Sequence, residues 1–198
     1  MNSKLVFLYP GQGSQRVGMG RDLYAHHQVA RNIFDRADRI LGYSLSELCF
    51  EGPEWQLNHD LVAQLAAFTM GCALTEVLKQ ENHRPGITSG YSAGFYAAAY
   101  AAGCFDFDTG LAIVKLAGEL LLDETLRTKG RMAVIFGLSR ECVEKICRQS
   151  ENTEIAIVNT TRQIIVSGTE TATKKAIAIA LKEGALDAYT LPVAAPYH

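Results

Sequence analysis

The sequence predicts an α/β protein: a body built on a parallel sheet, followed by a subdomain of mixed strands and helices. Three features of the 198 residues carry this expectation. A continuous apolar run at 4–9, KLVFLY, ends at Pro10-Gly11, as a strand covered on both faces does. Long helical stretches separate it from a second short strand, the alternation that a parallel sheet requires. From about residue 130 the pattern becomes strand, helix, strand, strand, helix, strand, a recurrent compact unit.

Taken in order, the strand at 4–9 is followed by helical periodicity over 20–41 and again over 60–80. The second stretch, DLVAQLAAFTMGCALTEVLKQ, is apolar almost all round and reads as a core helix. A turn at Asn82–Gly86 leads into GITSGY as the second strand. SAGFYAAAYAAG then supplies small residues for a tightly packed helix stopping at Gly103, and 107–126 forms another helix. Beyond Lys129-Gly130 the expected elements are strands at 131–137, 154–159, 162–167 and 187–193 and helices at 139–150 and 170–183. NTTR at 159–162 makes the hairpin between the middle strands. This β-α-β-β-α-β order is that of a ferredoxin-like unit. The expected organisation is a body over 1–129, the unit over 130–193, and a return to the body over 194–198, with the rest of that body absent.

Composition narrows the function. Apolar residues make up 48% of the chain, enough for a sizeable core and too many for disorder. The net charge of −2, with mixed small groups of charges, argues against nucleic acid as a partner. Five cysteines, odd in number and with no C-x-x-C pair, fit neither a disulfide framework nor a metal site. The apolar run before Pro10 is too short for a signal peptide, and no stretch of about 18 apolar residues follows. The expectation is a cytoplasmic protein without membrane, metal or bound cofactor.

Chemistry is concentrated in GYSAG, residues 90–94. A strand delivers Ser92 and a helix starts directly after it, the arrangement of a nucleophile elbow. Glycines on both sides leave room for a sharp turn. At a helix N-terminus the backbone N–H groups and dipole favour a developing anion. The same spacing also suits a serine that only caps the helix. A second loop, Gly11-Gln12-Gly13-Ser14-Gln15, follows the first strand. It is no dinucleotide fingerprint, because Arg16 stands where the third glycine belongs. Such a loop can still offer a backbone N–H to an oxyanion.

Together YPGQGSQRVGMG, GYSAGFYAAAYAAG, VNTTRQIIVSG and LPVAAPYH resemble the malonyl-CoA:acyl carrier protein transacylase family, which includes the acyltransferase domains of polyketide synthases. The resemblance runs from Pro10 to His198. It implies an α/β-hydrolase-like core with an inserted ferredoxin-like subdomain, and ping-pong acyl transfer between thioesters of CoA and of phosphopantetheinyl acyl carrier protein. It assigns Ser92 as nucleophile and His198 as the base that takes its proton. The oxyanion would be held by the backbone N–H groups of Gln12 and Ala93. In the family the sequence continues well beyond the position of His198.

Two positions depart from the family. Ala117, beside Gly118, stands where malonyl-using members carry the arginine that pairs with the substrate carboxylate. Tyr91 replaces the usual histidine before the serine. Lys115, two residues from Ala117, points to another helix face. A carboxylate buried without its cation loses a charge-assisted contact, so these changes favour a neutral acyl group. Two alternatives accompany transfer: hydrolysis of acyl groups from a carrier protein, and a catalytically incomplete chain acting as a binding partner. His26, His27, His59 and His83 lie in polar stretches or beside helix ends and read as solvated or capping residues.

Overall fold

The computed structural model describes residues 5–127, 129–193 and 195–198. The chain divides into two compact units, Met1–Leu120 and Leu121–His198.

In the first unit β1 (Val6–Tyr9) and β2 (Ile87–Gly90) pair in parallel, with Val6 opposite Ile87 and Tyr9 opposite Gly90. A parallel pair needs a long crossover. Here it consists of α1 (Arg21–His26), α2 (Gln28–Leu41), α3 (Leu45–Glu51), α4 (Glu54–Leu57) and α5 (Asp60–Gln80). Strand β2 leads into α6 (Gly94–Ala101) and then α7 (Phe107–Arg127). The core forms where Phe7 and Tyr9 of β1 meet Phe34 of α2, Leu65 and Phe68 of α5, Ala97 of α6 and Leu111 of α7. Helix α5 is long and apolar enough to cross a membrane, yet 61% of that apolar stretch is buried inside the unit, which marks it as a core helix. It also ties β1 down: the Tyr9 hydroxyl meets Thr75 Oγ1 at 2.6 Å, and Thr75 donates to the Gly71 carbonyl at 2.7 Å.

The second unit contains β3 (Gly130–Phe136), α8 (Arg140–Ser150), β4 (Thr153–Thr160), β5 (Gln163–Thr169), α9 (Glu170–Lys182) and β6 (Asp187–Thr190). Its sheet has the order β4-β5-β3-β6, and every pairing is antiparallel. Alternation along β3 and β5 sends Ala133, Ile135, Ile164 and Val166 to one face, against Val143 and Ile146 of α8 and Ala176 and Ala180 of α9. Met132, Val134 and Ile165 face the other way, against Leu191, Val193 and Tyr197. Both helices begin at side-chain caps, Ser139 accepting from the Cys142 N–H and Thr169 from the Ala172 N–H. Within the expected return segment 194–198, residue 194 lies outside the described residues.

Three elements differ from the sequence expectation. The helix expected over 20–41 is broken at His27, which is extended (φ −123°, ψ 113°). The Arg31 guanidinium donates to the carbonyls of Tyr24 and Ala25 at 3.2 Å, satisfying groups that the break leaves open. The stretch 42–59, for which no element was expected, holds α3 and α4. The strand expected to reach 193 ends at Thr190, because Pro192 has no N–H to continue the ladder.

Candidate active site

Strand β2 stops at Gly90, and α6 begins at Gly94 after three intervening residues. The chain turns sharply enough between them that Ser92 sits at φ +50°, in the left-handed region. A non-glycine residue held there costs about 1–3 kcal/mol, a strain that surrounding contacts must enforce. They do so through the backbone. The Tyr91 N–H donates to the Tyr9 carbonyl at 2.9 Å, extending the β1–β2 pairing by one step. The Gly94 N–H donates to the Tyr91 carbonyl at 2.9 Å and the Phe95 N–H to the Ser92 carbonyl at 3.0 Å. Gly90 and Gly94 are required by close approach. A Cβ on Gly90 would lie 2.2 Å from the Gly94 carbonyl, and one on Gly94 would lie 2.3 Å from the Tyr9 oxygen. Ser92 and Tyr91 are both exposed, and Ala93 is half-buried at the helix start.

The glycine loop after β1 lies against this turn. A Cβ on Gly11 would come within 2.6 Å of the Tyr91 oxygen and 3.4 Å of Ser92 Cβ, so Gly11 lets the loop approach. Gln12 follows, and its side chain is held at both ends. Its Nε2 donates to Asp60 at 2.6 Å, and its Oε1 accepts from Gln64 at 3.3 Å. Ser14 donates to the Gly11 carbonyl at 2.8 Å, and Gln15 donates to Asn58 at 2.8 Å. The loop is therefore clamped to the start of α5. Side-chain hydrogen bonds to Asn58, Asp60 and Gln64 thus hold the loop in place.

Ala117 is half-buried on α7. Its neighbour Gly118 packs against α5, where a Cβ would lie 2.5 Å from Leu61 and 3.8 Å from Gln64 Oε1. Gln64 thus stands between the Gln12 loop and the Ala117–Gly118 segment. Lys115 lies 4.0 Å from Glu119, a largely exposed pair on the same helix. The first unit brings together the Gln12 loop, Tyr91, Ser92 and Ala93. His198 belongs to the second unit, exposed and at φ +61°.

Sequence reasoning missed Gln64 and Asp60. Gln64 is only 6% exposed, a polar side chain inside an otherwise apolar helix, and that anomaly was the available signal. Among the described residues no group of three or more His, Cys, Asp or Glu gathers in a way that could hold a metal ion.

A serine held at positive φ between a strand and a helix, beside a clamped glycine loop, has the strand–turn–helix geometry of a nucleophile elbow. The acyl transferase domain family matches residues 6–195, and the chain belongs to that family. The malonyl CoA-acyl carrier protein transacylase of Bacillus subtilis is 36% identical over 200 residues, covering 99% of this chain and 63% of the relative. The solved malonyl CoA-acyl carrier protein transacylase of Coxiella burnetii superposes with a TM-score of 0.93 at 30% identity, covering 98% of this chain and 63% of that one. A type II polyketide malonyl-transacylase solved in complex with its acyl-carrier protein superposes at 0.92 with 31% identity, over 98% and 64% of the two chains. The chain thus spans less than two thirds of the length of these relatives.

Proposed function

We propose that this chain transfers acyl groups between thioesters, from CoA to the phosphopantetheine of an acyl carrier protein, through an ester on Ser92. In this reading Ser92 Oγ attacks the thioester carbonyl carbon while His198 takes its proton. The tetrahedral oxyanion is held by the Gln12 and Ala93 N–H groups. Its collapse expels the CoA thiolate, which leaves with the proton from His198. The carrier's thiol then repeats the sequence in reverse, and no water need enter. The observation that carries the reading is Ser92 at φ +50°, directly beside the Gly11–Gln12 approach.

Several features support the finer parts of the proposal. The parallel β1–β2 body with its surrounding helices reads as an α/β-hydrolase-like core over 1–129. The antiparallel β4-β5-β3-β6 sheet reads as a ferredoxin-like subdomain over 130–193. The relatives' names, which include an acyl carrier protein and, for one, a type II polyketide system, support the carrier as partner. Ala117 offers no cation, so the acyl group is neutral in preference to malonyl.

Incubating the protein with acetyl-CoA and phosphopantetheinyl acyl carrier protein tests this. Acetyl-carrier should accumulate with the protein and not with Ser92→Ala. Free acetate in its place would establish the hydrolase, and neither product the non-catalytic partner.

A further inference from the structure

Three polar side chains form a directed chain of hydrogen bonds beside the nucleophile. Asp60, the first residue of α5, accepts from Gln12 Nε2 at 2.6 Å. Gln12 Oε1 in turn accepts from Gln64 Nε2 at 3.3 Å. A carboxylate can only accept, so Asp60 decides which end of the Gln12 amide faces it. The Gln12 amino group must point to Asp60 and its oxygen to Gln64, and Gln64 must answer with its own amino group. That leaves Gln64 Oε1 as the far end of the chain, and this oxygen can only accept. It is turned towards α7, where a Cβ on Gly118 would lie 3.8 Å from it. Its surroundings there are apolar: Leu61 would come within 2.5 Å of the same Cβ, and Ala117 is the next residue along α7. Gln64 is buried, so water competes poorly for its oxygen.

We infer that Gln64 Oε1 selects the acyl group: it takes a short acyl chain that carries a hydrogen-bond donor, a hydroxyl above all, and disfavours one that carries a carboxylate. The inference rests on the acyl-transfer reading for where the substrate lies. A thioester carbonyl held at the Gln12 N–H starts beside the residue whose side chain leads to Gln64, so an acyl chain running along Gln12 arrives at that oxygen. A hydroxyl there donates to a buried acceptor. A plain alkyl chain shields the acceptor from water and gives it nothing in return. A carboxylate sets lone pairs against lone pairs and adds repulsion from the Asp60 charge. Ala117 explains why an anion is not favoured, and Gln64 supplies what is favoured in its place. Asp60 touches no substrate in this scheme. It is a positioning residue that acts through two amides.

The test compares 3-hydroxybutyryl-CoA, butyryl-CoA and malonyl-CoA in two ways, so that its failure separates from that of acyl transfer. In the unaltered protein the rate of mass gain on Ser92 gives kcat/KM for each donor. In Ser92→Ala, where no ester can form, calorimetry gives the affinity for each. The hydroxyl should raise both quantities about tenfold or more over butyryl, and malonyl should rank last. Asp60→Ala releases the order of the two amides, so Gln64 can turn its amino group to α7. The hydroxyl preference should then be mostly lost, and malonyl should gain on butyryl. A purely structural role for Asp60 would lower all three donors together and leave their ratios alone. Equal values for the hydroxylated and plain donors, ratios untouched in Asp60→Ala, or no binding of any donor would each overturn the proposal. A hydroxyl preference in binding with no mass gain on Ser92 would uphold it and overturn the transfer reading instead.

Discussion

Strain at the nucleophile can be weighed with two variants that differ by a single carbon. Ser92→Ala and Ser92→Gly both remove Oγ, so every contact made by the hydroxyl cancels between them. What remains is one Cβ at φ +50°. At an ordinary position glycine is less stable than alanine by about 0.5–1 kcal/mol, because the unfolded chain gains freedom. In the left-handed region a Cβ meets the following carbonyl, at a cost of about 1–2 kcal/mol. The second effect exceeds the first, so the usual order reverses. Ser92→Gly should unfold about 0.5–1 kcal/mol above Ser92→Ala. For a chain of this size that is about 1–4 °C in melting temperature by circular dichroism. Both variants should be inactive. A Ser92→Gly protein melting at or below Ser92→Ala would show that the turn is relaxed and remove the physical basis of the elbow.

Replacing Gln64 by Leu leaves Gln12 held by Asp60 alone; acylation should slow about tenfold or more while stability falls by about 1–2 kcal/mol, with unchanged kinetics counting against an oriented Gln12 peptide. Ala117→Arg should raise kcat/KM for malonyl over acetyl thioesters about 10- to 100-fold, and a strong malonyl preference before substitution would refute the role given to Ala117. Burial pushes the Cys49 thiol up to about 12 from an ordinary 9.0, so it stays protonated while unfolded thiols ionise. Its folded form then holds the extra proton, and stability should be intact below pH 9.0 and fall above it by about 1.4 kcal/mol per pH unit for this thiol, in alkaline urea titrations. A Cys49→Ala variant with the same alkaline slope would contradict that assignment.

The elements that sequence made legible are those whose signal is local. Ser92 announced itself because a strand, two glycines and a helix meet within a few residues, and each constrains the backbone at that point. Helix α5 was readable because 21 residues run without a breaker and with apolar groups on every side. The break at His27 was not, since helical periodicity continues through it and the compensation comes from Arg31 folding back on Tyr24 and Ala25. Helices α3 and α4 are 7 and 4 residues long, too short for periodicity to register against Gly52-Pro53. The clamp on Gln12 spans 48 and 52 residues of sequence, and only packing brings Asp60 and Gln64 to it.

The central claim is a covalent acyl-Ser92. Its most direct measurement is peptide mapping by mass spectrometry of the protein quenched in acid after seconds with acetyl-CoA. The account predicts an acetyl mass increase confined to the peptide containing GYSAG, located on Ser92, discharged by added carrier-protein thiol and absent in Ser92→Ala. An acetyl group on any other residue that supports turnover, or turnover persisting in Ser92→Ala, would contradict it.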